Sequence, residues 1–271
     1  MKFGLNLYSI RNLVGTPEGF RETCHKLKDM GYGSLQISGV PYDPELIKSV
    51  SEETGLPVVL THVALDRILN DTDKLMEEHA YFGCKNIGLG SFPFAAMEDP
   101  EKMVEQVAQL NEAGEKMAKN GFKFFYHNHH YEFYKNNGQT VYDYMIENAP
   151  YINFTLDTYW LQYAGVDILD YIKKMAGRIE CIHLKDYQII RKRVSPEETG
   201  PVSPDYAPVG KGTLKWHEII PAALASGTKN FIVEQDSAAL YPDTLAEVEY
   251  SIKYRFNFSD IWFPNSVSLA I

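Results

Sequence analysis

At 271 residues the chain is near the roughly 250 residues of a (β/α)8 barrel and long for any other single core. Its composition, 45% hydrophobic and 23% charged, is that of an ordinary globular protein. With 26 Lys plus Arg against 36 Asp plus Glu, the net charge of −10 excludes a general nucleic-acid or anionic-membrane surface, although a small basic pocket is still allowed.

Short apolar runs follow one another at 2–9, 34–39, 57–63, 86–91, 123–129, 153–158, 179–186 and 230–236. The first reads as a strand rather than a signal peptide, since it has no long apolar stretch and no small-residue cleavage site. Segments of helical periodicity lie between the runs. Thr16 and Asp99 each precede a proline and a glutamate, as an N-cap should. Gly31, Gly83 and Gly121 close helices just before the next strand. Strict alternation of eight strands with helices predicts a parallel α/β protein, specifically a single (β/α)8 TIM barrel over 1–271. An open doubly wound sheet would concentrate its polar strand ends near one switch point and would carry a glycine-rich phosphate loop after the first strand. Here Asn6-Leu-Tyr-Ser9 occupies that place.

The segment 187–212 shows no helical pattern and is rich in proline and glycine, so it is expected to be a structureless active-site lid. The aromatic tail from 255 to 271 is expected to pack on its own barrel or on a partner subunit, which leaves a homo-oligomer open. No apolar run approaches the roughly 20 residues of a membrane span. Cys24, Cys84 and Cys181 are widely spaced, odd in number and without a CxxC pair, so they read as buried thiols of a cytoplasmic protein.

A strand buried on both faces should stay apolar to its end, and in a barrel the exception falls at the C-terminal rim, where active sites form. Here His62, His127, Asp157, His183 and Glu234 each end an apolar run. Taken singly, Asp157 could be a helix N-cap and His183 a core histidine. Together on successive strands they suit a divalent ion, and Glu234 would be costly to bury without a cation. On the fifth strand His127 and His129 share one face by alternation, and Glu132 follows on the loop. An ordinary polar loop is the plainer alternative.

Five motifs resemble the sugar phosphate isomerase/epimerase group of the xylose isomerase-like TIM barrels, whose relatives include ketose 3-epimerases, inosose dehydratases and endonuclease IV. They are Tyr126-His-Asn-His-His-Tyr-Glu-Phe133, Leu156-Asp-Thr-Tyr-Trp160, Ile182-His-Leu-Lys-Asp186, Val209-Gly-Lys-Gly212 and Val233-Glu-Gln-Asp236. The resemblance implies one divalent ion held from strands five to eight by Glu132, Asp157, His183 and Glu234. Manganese or zinc is favoured, with magnesium or cobalt in range. Ketose 3-epimerases usually place a glutamate near the position of His127. Either Glu132 reaches back to the ion, or His127 or His129 replaces it.

Such a site would abstract a proton beside the carbonyl of a keto sugar or sugar phosphate, with Glu234 as one base and Glu132, His127 or His129 as the other. Lys185 and Lys211 offer a grip on an oxyanion or phosphate, each otherwise an ordinary surface lysine. His62 and Trp160 would contact the substrate, and Tyr8 and Trp216 could extend an apolar wall. A lyase and a non-catalytic sugar-binding barrel are the alternatives. An endonuclease is disfavoured, because the chain is acidic and Trp160 stands where relatives often carry a histidine.

Overall fold

The computed structural model describes residues 3–193 and 198–254. Eight parallel strands close into a barrel in chain order. They are β1 (Phe3–Asn6), β2 (Ser34–Ile37), β3 (Val58–His62), β4 (Asn86–Leu89), β5 (Lys123–His127), and then, after a small hairpin of β6 (Lys135–Asn136) and β7 (Gln139–Thr140), β8 (Ile152–Asp157). Next come β9 (Cys181–Leu184), an antiparallel ribbon of β10 (Asp186–Arg193) and β11 (Thr199–Ala207), and β12 (Asn230–Val233), which pairs with both β9 and β1. All eight predicted strands are present, seven of them shortened and β8 shifted one residue toward the N-terminus.

Local chemistry sets the boundaries of the connecting helices. The Thr16 hydroxyl accepts from Gly19 N and Pro17 opens the helix Pro17–Met30, while Gly31 ends it at φ 102°, where a side chain would be strained. Asp99 caps the helix Pro100–Lys119 in the same way, through Glu101 N and Lys102 N. Leu60, Phe125, Cys181 and Ile232 form a small cluster of their own, apart from the larger core.

The segment after β9 corrects the sequence reading. It is a paired ribbon, with Ile189 opposite Pro204 and Arg191 opposite Val202. β-Branched residues favour the pairing, and proline is tolerated because both strands are edges. The hairpin β6–β7 also went unforeseen, although its Asn137-Gly138 turn, with positive φ at both residues, is a recognisable hairpin signal. The expected packing of the 255–271 tail lies outside the described residues. Among the described residues no helix is long and apolar enough to cross a membrane.

Candidate active site

Register brings the strand ends together. Asp157, the last residue of β8, pairs with His183 on β9, and Glu234 follows β12 directly. His127 ends β5, next to β8 in the barrel. His127, Asp157, His183 and Glu234 are all buried, and their ligand atoms lie within 4.8 Å of one another.

Each member is held by neighbours. His127 Nδ1 lies 2.9 Å from the Gly90 carbonyl oxygen, leaving Nε2 3.2 Å from Asp157 Oδ2. Asp157 Oδ1 accepts from Trp160 N, and Asp157 N donates to Asn128 Oδ1. Asn6 Nδ2 donates to Glu234 Oε1 at 2.9 Å. His183 Nε2 sits 2.7 Å from Gln36 Oε1. Its other nitrogen, Nδ1, is 2.6 Å from Glu234 Oε2, yet the pair is misaligned for an N–H···O bond and neither atom has a hydrogen-bond partner. Buried polar atoms left this way are costly. A cation among two carboxylates and two imidazoles would remove that cost, and such a donor set suits manganese, zinc, magnesium or cobalt.

Lys185 brings a fixed positive charge to the cluster. Its Nζ is 2.7 Å from Asp236 Oδ1, 3.7 Å from Asp157 Oδ2 and 3.8 Å from Glu234 Oε2, with the rings of Trp160 and Tyr206 about it. Burial alone would raise the Asp157 and Glu234 carboxyls, but Lys185 and the neighbouring imidazoles outweigh it and hold both well below the usual carboxylate range. Burial pulls His183 down, whereas Glu234 and Asp157 lift it to about 9. His129, half-buried beside His127 and Lys185, is pulled down to about 2 by desolvation and stays neutral.

The other expected site residues are arranged differently. Glu132 is fully buried, and its carboxylate accepts from the Tyr126 hydroxyl and from His129 N rather than joining the cluster. Burial raises it to about 7. His127 therefore takes the place expected of Glu132 among the four grouped donors. The His129 ring lies 4.8 Å from that of His127, with Nδ1 2.9 Å from the Tyr131 hydroxyl. His62 has both ring nitrogens engaged, by Gln36 and Ser38. Trp160 stacks on His130 and has Lys185 over its ring. Lys211 lies over the Tyr250 ring, and Arg11 covers Tyr8.

Trp216 is buried, and its Nε1 donates to Asp186. Gly210 N, Gly212 N, Leu214 N and Tyr187 N also donate to that carboxylate. A Cβ on Gly212 would come within 2.2 Å of Asp186 Oδ1, so the wrap needs glycine there. The sequence reading passed over Asn6, Gln36 and the role of Asp186. A signal existed for Gln36, a polar residue between Leu35 and Ile37 in a buried strand.

The sequence matches the xylose isomerase-like TIM barrel family over residues 24–253. A sugar phosphate isomerase/epimerase from Parabacteroides distasonis has a similar structure, with TM-score 0.73, 20% identity, and 93% of this chain and 92% of that one covered. A xylose isomerase-like TIM barrel protein from Mycobacterium smegmatis in complex with magnesium gives TM-score 0.67 at 15% identity, covering 93% and 94%. The probable 3-DHS dehydratase of Bacillus anthracis gives 0.66 at 14%, covering 93% and 98%. No curated protein matches the sequence.

Proposed function

The chain belongs to the xylose isomerase-like TIM barrel family, and on that footing we propose that it is a metal-dependent isomerase or epimerase of a keto sugar or sugar phosphate. The observation that carries the proposal is the buried meeting of His127, Asp157, His183 and Glu234, with His183 Nδ1 and Glu234 Oε2 lacking hydrogen-bond partners. The likeness to a sugar phosphate isomerase/epimerase and to a magnesium complex supports it. A divalent ion, with manganese or zinc ahead of magnesium or cobalt, supplies Lewis-acid polarisation of a substrate carbonyl when bound.

The protein's own groups handle the proton. Glu234 is one base. His129 is its counterpart from the β5 side by position, because the Glu132 carboxylate is already engaged by the Tyr126 hydroxyl and His129 N. The two approach from β12 and β5, which β9 and β8 separate in the barrel. Lys185 steadies the oxygen that gains charge as the proton leaves. The ribbon β10–β11, whose Tyr206 ring packs beside Trp160 and Lys185, serves as the lid. The three free buried cysteines fit a cytoplasmic setting, and the substrate is a small sugar rather than a nucleic acid or a membrane.

A lyase is the second reading. The Asp236 carboxyl is raised by burial and paired with Lys185, so it could protonate a departing β-hydroxyl, and the resemblance to a probable dehydratase points the same way. Incubating the metal-loaded protein with keto sugars in deuterated water distinguishes the two. Deuterium beside the carbonyl with the carbon skeleton and hydroxyls intact supports isomerisation or epimerisation. Loss of water supports the lyase. Turnover without solvent exchange contradicts proton abstraction and leaves a hydride shift.

A further inference from the structure

The two imidazoles of the cluster present different nitrogens to it, and each is oriented by what lies behind it. Behind His127 is the main-chain carbonyl of Gly90. A carbonyl can only accept, so His127 carries its proton on Nδ1 and offers Nε2. Behind His183 is the side chain of Gln36, which is fully buried. An amide can present either its oxygen or its nitrogen, so this contact alone leaves the His183 tautomer undecided.

In the structure Gln36 turns its oxygen to His183 and its nitrogen to a third imidazole. Gln36 Nε2 lies 3.0 Å from His62 Nε2, and His62 Nδ1 lies 3.1 Å from Ser38 Oγ. In this order Ser38 accepts from His62, His62 accepts from the Gln36 amide, and the Gln36 oxygen accepts from His183 Nε2–H. The proton of His183 then sits on the nitrogen facing away from the cluster, and the Nδ1 lone pair faces in. If the amide were turned over, its N–H would point at His183 Nε2 and the proton would move to Nδ1. There it could meet Glu234 and close the site to cations.

We propose that Gln36 is a positioning residue that makes His183 an Nδ1 ligand and occupies His62 Nε2, so that this third imidazole does not compete for the ion. The inference rests on the ion-binding reading above. Outer partners of ligating histidines typically matter by about 10–100-fold in metal affinity.

The test is a zinc titration of the metal-stripped protein against a competing chelator, for wild type, Gln36→Leu and Gln36→Glu. Gln36→Leu should bind zinc about 10–100-fold more weakly. Gln36→Glu, which keeps an oxygen toward His183 Nε2, should stay within a few-fold of wild type. Long-range 15N spectra of zinc-loaded, histidine-labelled wild type should show His183 protonated at Nε2. Equal affinity of Gln36→Leu and wild type, or a His183 lacking the Nε2 proton, overturns the role of Gln36 and leaves the ion site standing. A Gln36→Glu variant as weak as Gln36→Leu overturns the acceptor role too, because glutamate keeps both the size of glutamine and an oxygen toward His183. Should Gln36→Leu fail to fold, the glutamate variant and the spectra still decide. Wild type that binds no zinc, manganese or magnesium overturns the ion-binding reading, and the role of Gln36 with it.

Discussion

Two buried carboxylates near the same rim, Asp157 and Asp186, have very different surroundings. Asp186 is enclosed by four backbone N–H groups and one indole N–H, all neutral and all directed at its oxygens. Asp157 sits among Lys185, His127 and His183, beside a carboxylate and an imidazole nitrogen that have no hydrogen-bond partner. The first arrangement is complete and holds the chain in place. The second is unfinished, and an unfinished buried polar group is where a bound species belongs.

The contrast can be broken most severely at the bases. His129→Gln should lower turnover of an active keto sugar by about 10²–10⁴-fold while leaving ion affinity nearly unchanged. Glu234→Gln should lose both. A His129 variant that keeps full activity would return the second base to Glu132 or His127. Next in size is Asp186→Ala, which abandons its five donors, the Leu214 amide and the Trp216 indole among them buried. Each such group costs about 1–3 kcal/mol, so after relaxation denaturant unfolding should show a loss of about 3 kcal/mol or more, with ion affinity retained. A mild loss would mean that water replaces the carboxylate and that the enclosure is not structural.

The ion should sharpen the comparison from the other side. At a concentration one hundred times its Kd it should stabilise the wild type by about 2.7 kcal/mol, and Asp157→Ala or His183→Ala should show no such gain in thermal melts. The smallest effect is on pH dependence. In metal-free protein His183 is raised from 6.5 to about 9, so its charged form adds stability that is fully present below pH 6.5 and is lost as pH rises through 9. His79 behaves in the opposite sense. Burial lowers it to about 4, so its contribution is present above pH 6.5 and is lost as pH falls toward 4. The contribution of these two groups should therefore peak near pH 6.5, and the alkaline limb should flatten in His183→Gln. An unchanged alkaline limb would contradict the Glu234–His183 pairing.

Much of this was legible in the chain because a buried parallel strand leaves a distinct mark. Apolar runs ending in Asp157, His183 and Glu234 announced the barrel and the rim where these residues meet, and Thr16 and Asp99 announced two helix starts. What stayed hidden depended on which partners the fold supplies, close in sequence or far. Glu132 looked available until the fold brought the Tyr126 hydroxyl and the His129 amide against it. The stacking of the Trp160 ring on His130, with Lys185 over it, also joins residues far apart in the chain. The ribbon was read as structureless because its prolines argue against a central strand, and a two-stranded ribbon has none.

The enclosure of Asp186 also bears on how this barrel can diversify. It ties the residue where the ribbon leaves β9 to the residues where the chain returns, at Gly210, Gly212 and Leu214. With both ends fastened at one point, the excursion between them can lengthen, shorten or change sequence without disturbing β9 or the strand that follows. Doubling the length of such a loop adds only about 0.6 kcal/mol of closure entropy. The ribbon is thus a cassette that evolution, or an engineer, can exchange while the buried histidines and carboxylates keep their places.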